Sequence, residues 1–128
     1  DVTLGPSYLA YGGRDITIAG ADVLELGLLP REFYRAETDS YLPRINAYGL
    51  PLDSRADYTK SDWMVWCAAM AENKQVSHAI MAAIARFLKE SSTRVAFSDW
   101  YDTKTGDYCH FIARSVQGGL YMPFLMQK

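Results

Sequence analysis

Two short segments of the chain concentrate carboxylates, cations and aromatic rings. Residues 48–63 (YGLPLDSRADYTKSDW) combine turn formers with charges of alternating sign, and residues 97–103 (FSDWYDT) combine two carboxylates with three aromatic rings. A buried polar group without a partner costs about 1–3 kcal/mol, so such segments destabilise a fold unless their groups are satisfied. We therefore predict that the two segments converge in space as one wall of a shared cavity and line a site.

The first segment offers two candidate catalytic carboxylates, Asp53 and Asp62, close to the cations Arg55 and Lys60. Loops at helix ends are where a helical scaffold exposes reactive groups. One carboxylate would act as a general base, while Arg55 or Lys60 holds an anionic or carboxylate-bearing substrate. In the alternative interpretation, Asp53 pairs with Arg55, Lys60 pairs with Asp62, and both pairs only cap a helical hairpin.

The second segment places Asp99 and Asp102 on either side of Trp100 and Tyr101. Aromatic rings beside carboxylates can hold a polar small molecule and raise the pKa of a carboxyl group. Asp99 is therefore a third catalytic candidate. In the alternative interpretation, the two rings pack against a hairpin and both acids are solvated.

The sequence predicts neither a metal site nor a cofactor. His78 fits the surface of a helix, and His110 is more typical of a satisfied core residue than of a ligand. Cys67 and Cys109 show no metal or redox spacing, and Cys67 is expected to pack as a small hydrophobe. No serine lies in a G-x-S-x-G elbow.

Composition narrows the classes of partner. Thirteen basic and fifteen acidic side chains give a net charge of −2 without a basic cluster, which argues against nucleic acid. The apolar runs are too short for a membrane span, which needs about 20 residues. The length predicts one domain with a sizeable core. No Met and no leader precede Asp1, so we expect this start to be a cut made either by processing or by design of the expressed protein.

A helical hairpin is expected to position the first segment. Ser61 or Asp62 is a suitable N-cap for residues 63–71, which are apolar almost all round and must therefore be buried. After the short connection 72–74, residues 76–88 show the period of an amphipathic helix that returns antiparallel to the first. Its apolar stripe comprises Val76, Ala79, Ile80, Ala83, Ile84, Phe87 and Leu88.

Two more helices are predicted before this hairpin. One covers about residues 30–47, is kinked or broken by Pro43 and is followed by Gly49 just past its end. The other covers about residues 15–29, and residues 1–14 are expected to be irregular.

A change of pattern follows the hairpin. Residues 94–97 and 108–113 flank the turn-rich residues 102–107, which fits a short β-hairpin or two irregular extended pieces. Residues 116–126 are predicted to be helical. The predicted fold class is thus mainly α, built of antiparallel helical hairpins, with a short β-hairpin as an option near residues 94–113.

Four motifs follow one another between residues 50 and 119. They are LPLDSR (50–55), YTKSDW (58–63), FSDWYDT (97–103) and FIARSVQGG (111–119). Together they resemble the C-terminal region of the fungal-type glutaminase A family and its gut-bacterial relatives. The resemblance implies a six-hairpin (α/α)6 toroid, of which residues 1–128 form a single segment, the C-terminal part. It also implies a secreted or periplasmic amidohydrolase that converts L-glutamine to L-glutamate and ammonia.

The matching motif positions are the candidate site residues. The catalytic candidates are Asp53, Asp62 and Asp99. The substrate-binding candidates are Arg55, Lys60, Trp63, Trp100, Asp102 and Arg114. On this view a carboxylate manages protons while water attacks the side-chain amide, and Arg55 or Arg114 holds the carboxylate of the substrate.

The length of the chain limits what it would do alone. A six-hairpin toroid needs more than 128 residues, so we expect a fragment that is inactive by itself. Its partner would be the remainder of the same polypeptide, and its exposed faces could also drive self-association. Two other functions stay open: a carbohydrate-active or carbohydrate-binding helical module, since Trp and paired acids also suit a saccharide, and a purely structural helical domain.

Overall fold

A computed structural model describes residues 27, 29–53, 55–92 and 96–127. Its helices are α1 (Arg31–Asp39), α2 (Ser61–Met70), α3 (Lys74–Glu90) and α4 (Met122–Leu125). Its strands are β1 (Tyr58–Lys60) and β2 (Trp100–Asp102), and two 3₁₀ segments cover Leu42–Arg44 and Ser115–Tyr121. The predicted mainly α class is confirmed. The predictions for residues 1–14 and 15–26 fall outside the described residues, and Gly27 and Leu29 are not helical.

Helix α2 lies at the centre of the described fold. Seven of its ten residues are buried, as its almost uniformly apolar sequence requires. It packs against the three other helices, β1 and the 3₁₀ segment Ser115–Tyr121. Cys67 of α2 is a buried free thiol, and Cys109 is also free, so the two cysteines form no disulfide.

Helix α3 forms the predicted hairpin with α2. The side chain of Asn73 accepts a hydrogen bond from the backbone N–H of Gln75 at 3.0 Å and caps its start. Five stripe residues are buried: Val76, Ile80, Ala83, Ile84 and Phe87. The prediction is wrong for Leu88, which is 58% exposed. At about 100° per residue Leu88 lies roughly 120° around the helix from Val76, at the edge of the stripe.

Helix α1 ends earlier than predicted. Its last residue is Asp39, and Pro43 lies in the following 3₁₀ segment, so the proline falls beyond the α-helix instead of kinking it. Gly49 does not follow a helix end. It pairs with Asn46 in a tight turn, and a Cβ at position 49 would lie 2.6 Å from the sulfur of Met64.

The two strands come from the two polar segments. β1 and β2 are antiparallel, with Thr59 opposite Tyr101 and Lys60 opposite Trp100. Thr59 and Tyr101 face inward and are buried, and the ring of Tyr101 stacks on that of Phe87 with centroids 3.6 Å apart. β2 thus takes part in a long-range pairing with β1 in addition to the short hairpin that was an option within residues 94–113.

The turn after β2 is closed by an antiparallel bridge between Tyr101 and Tyr108 and by backbone hydrogen bonds. The N–H of Asp102 donates to the carbonyl of Asp107 at 2.9 Å, and the N–H of Cys109 donates to the carbonyl of Trp100 at 2.7 Å. Residues 94 and 95 lie outside the described part. The predicted helix 116–126 is also shorter than expected. Most of it is the 3₁₀ segment Ser115–Tyr121, and only α4 is α-helical. Within the described residues, no helix combines the length and the apolar character needed to cross a membrane.

Candidate functional site

The two polar segments meet at the start of α2. The backbone N–H of Ser61 donates to the carbonyl of Asp99 at 2.8 Å, and the N–H of Thr103 donates to the carbonyl of Asp57 at 2.8 Å. These bonds continue the β1–β2 pairing beyond both ends of the strands. The hydroxyl of Thr103 adds a 2.6 Å bond to the carbonyl of Asp57. The predicted convergence of the two segments is therefore confirmed.

A buried carboxylate and a guanidinium form the base of this junction. Asp99 is fully buried, and Arg114 holds it with two bonds, Nε to Oδ1 at 3.0 Å and Nη2 to Oδ2 at 2.5 Å. Such parallel bonds fix the plane of both groups. The side chain of Arg114 is 31% exposed, and a guanidinium carries five N–H donors. Donors therefore remain for a ligand that approaches from solvent.

Asp62 lies beside this pair in the first turn of α2. It is 8% exposed, and its Oδ1 has no hydrogen-bond partner among the described residues. The hydroxyl of the buried Ser61 likewise lacks one within the part of the chain that the structure describes. Neither side chain is the predicted N-cap, because β1 runs directly into the helix and Lys60 occupies the cap position in extended conformation.

Burial raises the pKa of Asp62 above the ordinary value of a carboxyl group. The backbone N–H groups of Asp62 and Trp63 at the helix N-terminus oppose this shift, the negative charge of Asp99 adds to it, and Lys60 opposes it. The hydrogen bond to Asp99 raises the pKa of Arg114, and the charge of Asp62 contributes to that rise. The three groups are thus electrostatically coupled. A carboxyl group of this kind is suited to exchange protons nearer to neutral pH.

Cations and rings cover one side of the junction. The ammonium of Lys60 lies 5.2 Å from the centroid of the Trp100 ring and 5.9 Å from that of Phe111. The guanidinium carbon of Arg114 lies 4.4 Å from the Phe111 centroid. The indole N–H of Trp100 is buried without a hydrogen-bond partner among the described residues. Two cations thus lie against the same Phe111 ring, and the buried indole N–H of Trp100 is a donor that no described residue uses.

Other predicted site residues have structural contacts. Asp53 and Arg55 form an ion pair in the turn before β1, as the alternative interpretation predicted. Asp102 accepts bonds from the backbone N–H groups of Lys104 and Thr105 at 2.8 and 2.9 Å, so it caps the turn after β2. These three side chains have local partners, and their predicted roles in substrate binding or catalysis stay predictions.

Lys60 does not pair with Asp62, since its ammonium lies over the aromatic rings. Trp63 is partly buried in the first turn of α2. The prediction for His110 is wrong, because this residue is exposed and has a φ of +56°. His78 is exposed on α3, as predicted.

Sequence reasoning missed Phe111 and Gly119 as parts of this junction. A Cβ on Gly119 would lie 2.9 Å from the Cβ of Asp62 and 3.0 Å from the indole nitrogen of Trp66. The same indole N–H donates to the carbonyl of Gly119 at 3.1 Å. The Gly-Gly pair after Arg114 was visible in the sequence as a place for close backbone approach.

Within the described part of the chain, no group of three or more His, Cys, Asp and Glu side chains is arranged to hold a metal ion. An open cleft of about 170 Å³ lies near the C-terminus of α3. The described residues that line it are Phe87, Leu88, Ser91, Ala96, Phe97, Ser98 and Tyr108. They include no carboxylate and no cation.

Gly119→Ala tests how closely the 3₁₀ segment must approach Asp62. We expect the added methyl group to lower the unfolding free energy by about 1–3 kcal/mol, because the nearest atoms leave no room for it. Gly118→Ala is the matched control, since a Cβ there meets nothing within 4 Å. Denaturant titrations of both variants give the comparison. Equal stabilities would contradict the described approach of residue 119 to α2.

Asp62→Asn tests the pKa of Asp62 through stability. Since its native pKa lies above the unfolded value of about 3.9, its contribution to stability is complete below that value and is lost as pH rises through the native pKa. An asparagine side chain does not ionise, so the Asp62→Asn variant does not lose this stability as the pH rises. We therefore expect it to melt at a higher temperature than the wild type at pH 7, with a difference that shrinks towards pH 4. Equal melting temperatures of the wild type and the variant at every pH in this range would contradict the raised pKa of Asp62.

The comparisons with known proteins agree with the fold. The sequence model of the glutaminase A six helical-hairpin domain matches residues 16–124. The chain is 41% identical over 122 residues to glutaminase A of Aspergillus oryzae. The matched stretch covers 93% of this chain and 16% of the relative. It is 36% identical over 105 residues to a probable glutaminase of Arthroderma benhamiae, and this match covers 80% of the chain and 12% of the relative. The chain thus spans less than a fifth of the length of either relative. No solved structure matches it.

Proposed function

The chain belongs to the glutaminase A six helical-hairpin family, and from this membership we propose a function for the junction around Asp62, where the two polar segments meet at the start of α2. This junction forms one wall of a site that hydrolyses the side-chain amide of L-glutamine. The observation that carries the proposal is the buried carboxylate of Asp62, which keeps an unpartnered oxygen beside the Asp99–Arg114 pair. An oxygen in this state can accept a hydrogen bond from the amide or from the attacking water.

Asp62 would move the proton of the reaction. A water oxygen forms a bond to the amide carbon as its proton passes to the Asp62 carboxylate, and the same proton then goes to the amide nitrogen as the C–N bond breaks. The products are glutamate and ammonia. The raised pKa of Asp62 suits this double role, because a group with a pKa nearer to the working pH can both accept and return a proton.

Arg114 and Lys60 would bind the carboxylate of the substrate. Arg114 keeps donors beyond those used on Asp99, and Lys60 adds a second positive charge on the same side of the junction. In this proposal Asp99 is a positioning residue. Its buried carboxylate fixes the guanidinium of Arg114 at the edge that a ligand can reach.

The proposal includes partners and location. The relatives are several times longer than this chain, so the remainder of a longer polypeptide would supply the other walls of the site, and this chain alone would be inactive. We also propose secretion or export to a periplasm, because the family resemblance implies it. The relatives give no support to a saccharide ligand or to a purely structural role.

The test is turnover by the full-length protein that carries this sequence. Purified protein is incubated with L-glutamine, and ammonia and glutamate are measured separately. We expect the two products in equal amounts, at a rate proportional to the protein concentration. A folded full-length protein that releases no ammonia from glutamine would overturn the proposal.

A further inference from the structure

We propose that Phe111 is a positioning residue that sets how Arg114 and Lys60 present positive charge to the carboxylate of the substrate. This inference rests on the proposed function and extends it to a residue that determines specificity. It predicts that Phe111 matters for substrates that carry a carboxylate next to the amine and not for otherwise similar amides that lack it.

The contacts of the Phe111 ring carry the argument. Its centroid lies 4.4 Å from the guanidinium carbon of Arg114 and 5.9 Å from the ammonium of Lys60. Its third neighbour is the Trp100 ring, with centroids 5.2 Å apart. A cation within about 6 Å of a ring centroid is attracted by the ring quadrupole. One ring thus touches both cations that the proposed function assigns to the substrate carboxylate.

The backbone holds this ring in place. The N–H of Phe111 donates to the carbonyl of Cys109 at 2.5 Å across a three-residue turn, whose central residue His110 has a φ of +56°. The carbonyl of Phe111 accepts a 2.5 Å bond from the hydroxyl of the buried Ser98. Ala113 follows with a φ of +52°. Left-handed backbone at two residues other than glycine is strained, and strain of this kind clusters at functional sites.

Burial does not explain the position of Phe111. The residue is 42% exposed, so its ring gains only part of the stabilisation available to a core residue. A leucine would satisfy a purely hydrophobic role in such a place. The partly exposed ring instead faces two cations, an arrangement that orients charge.

The kinetic test compares two substrates in the full-length protein. For Phe111→Leu we expect the KM for L-glutamine to rise about three- to tenfold with kcat nearly unchanged, because the lost attraction affects binding of the carboxylate. The value of kcat/KM for 4-aminobutanamide, which lacks that carboxylate, should not change. Phe111→Tyr keeps the ring and should retain the wild-type KM. Phe124→Leu is the matched control, since Phe124 is an exposed ring on α4.

A binding measurement separates this inference from the proposed reaction. Calorimetry with L-glutamate should show affinity weakened about three- to tenfold by Phe111→Leu, while 4-aminobutanoate binds equally to both proteins. If the wild type binds glutamate but releases no ammonia from glutamine, the proposed function fails and these affinities still decide the role of Phe111. An unchanged glutamate affinity, an equal loss for both ligands, or no glutamate binding by the wild type would overturn the inference.

Discussion

Asp62→Asn should abolish glutamine-dependent ammonia release by the full-length protein while leaving its fold intact. The amide side chain of the variant cannot take the proton of the attacking water. Loss of a general acid–base typically lowers the rate about 10²- to 10⁴-fold. The fold should survive because Oδ1 of Asp62 has no partner to lose among the described residues. The neutral side chain also removes a buried charge. The measurement is kcat from initial rates of ammonia release, together with the melting temperature.

Asp107→Asn is the matched control for this experiment. Asp107 is exposed in the turn after β2, where the same chemical change removes a solvated charge, and we expect it to keep wild-type turnover. Asp62→Asn with kcat within about twofold of the wild type would exclude Asp62 from proton transfer. A variant that is inactive because it has unfolded is recognised by its melting curve.

The helices were predictable because their signals are local. The apolar stripe of α3 repeats with the helical period, and α2 is apolar almost all round. In both helices most of the residues that these patterns predict to be buried are buried. The end of α1 was not predictable in this way. Tyr41 is fully buried two residues beyond that helix, so packing of the following turn fixed an end that propensity placed near residue 47.

The site was predictable as a region but not in its pairings. Charge and aromatic density identified both segments, whereas the bond from Ser61 to the carbonyl of Asp99 joins residues far apart in sequence. Local spacing favoured Asp62 as the partner of Lys60 and said nothing about Arg114. Ser61 or Asp62 was expected to cap α2, but β1 runs directly into the helix and Lys60 occupies the cap position. The partners of Ser61, Lys60 and Asp99 were thus set by tertiary contacts, which local sequence spacing does not reveal.

Arg114→Met should destabilise the protein strongly. Asp99 is fully buried and would lose the guanidinium that now holds both of its oxygens. Breaking a buried pair from one side typically costs about 3–5 kcal/mol, and partial access of water near Arg114 places our expectation at about 2–4 kcal/mol. Lys104→Met is the control, since it breaks the exposed pair with Asp57 and should change little.

A double-mutant cycle shows whether this cost belongs to the pair. Asp99→Asn alone leaves a cation that is 31% exposed and can be hydrated, so we expect a smaller loss than in Arg114→Met. In the double variant both charges are absent, and part of the stability lost in Arg114→Met should return, with a coupling energy of about 1–3 kcal/mol. Denaturant titrations followed by tryptophan fluorescence give the four values. Strictly additive losses would mean that Arg114 does not compensate the buried carboxylate, and the guanidinium would then lack the fixed position from which it is proposed to bind substrate.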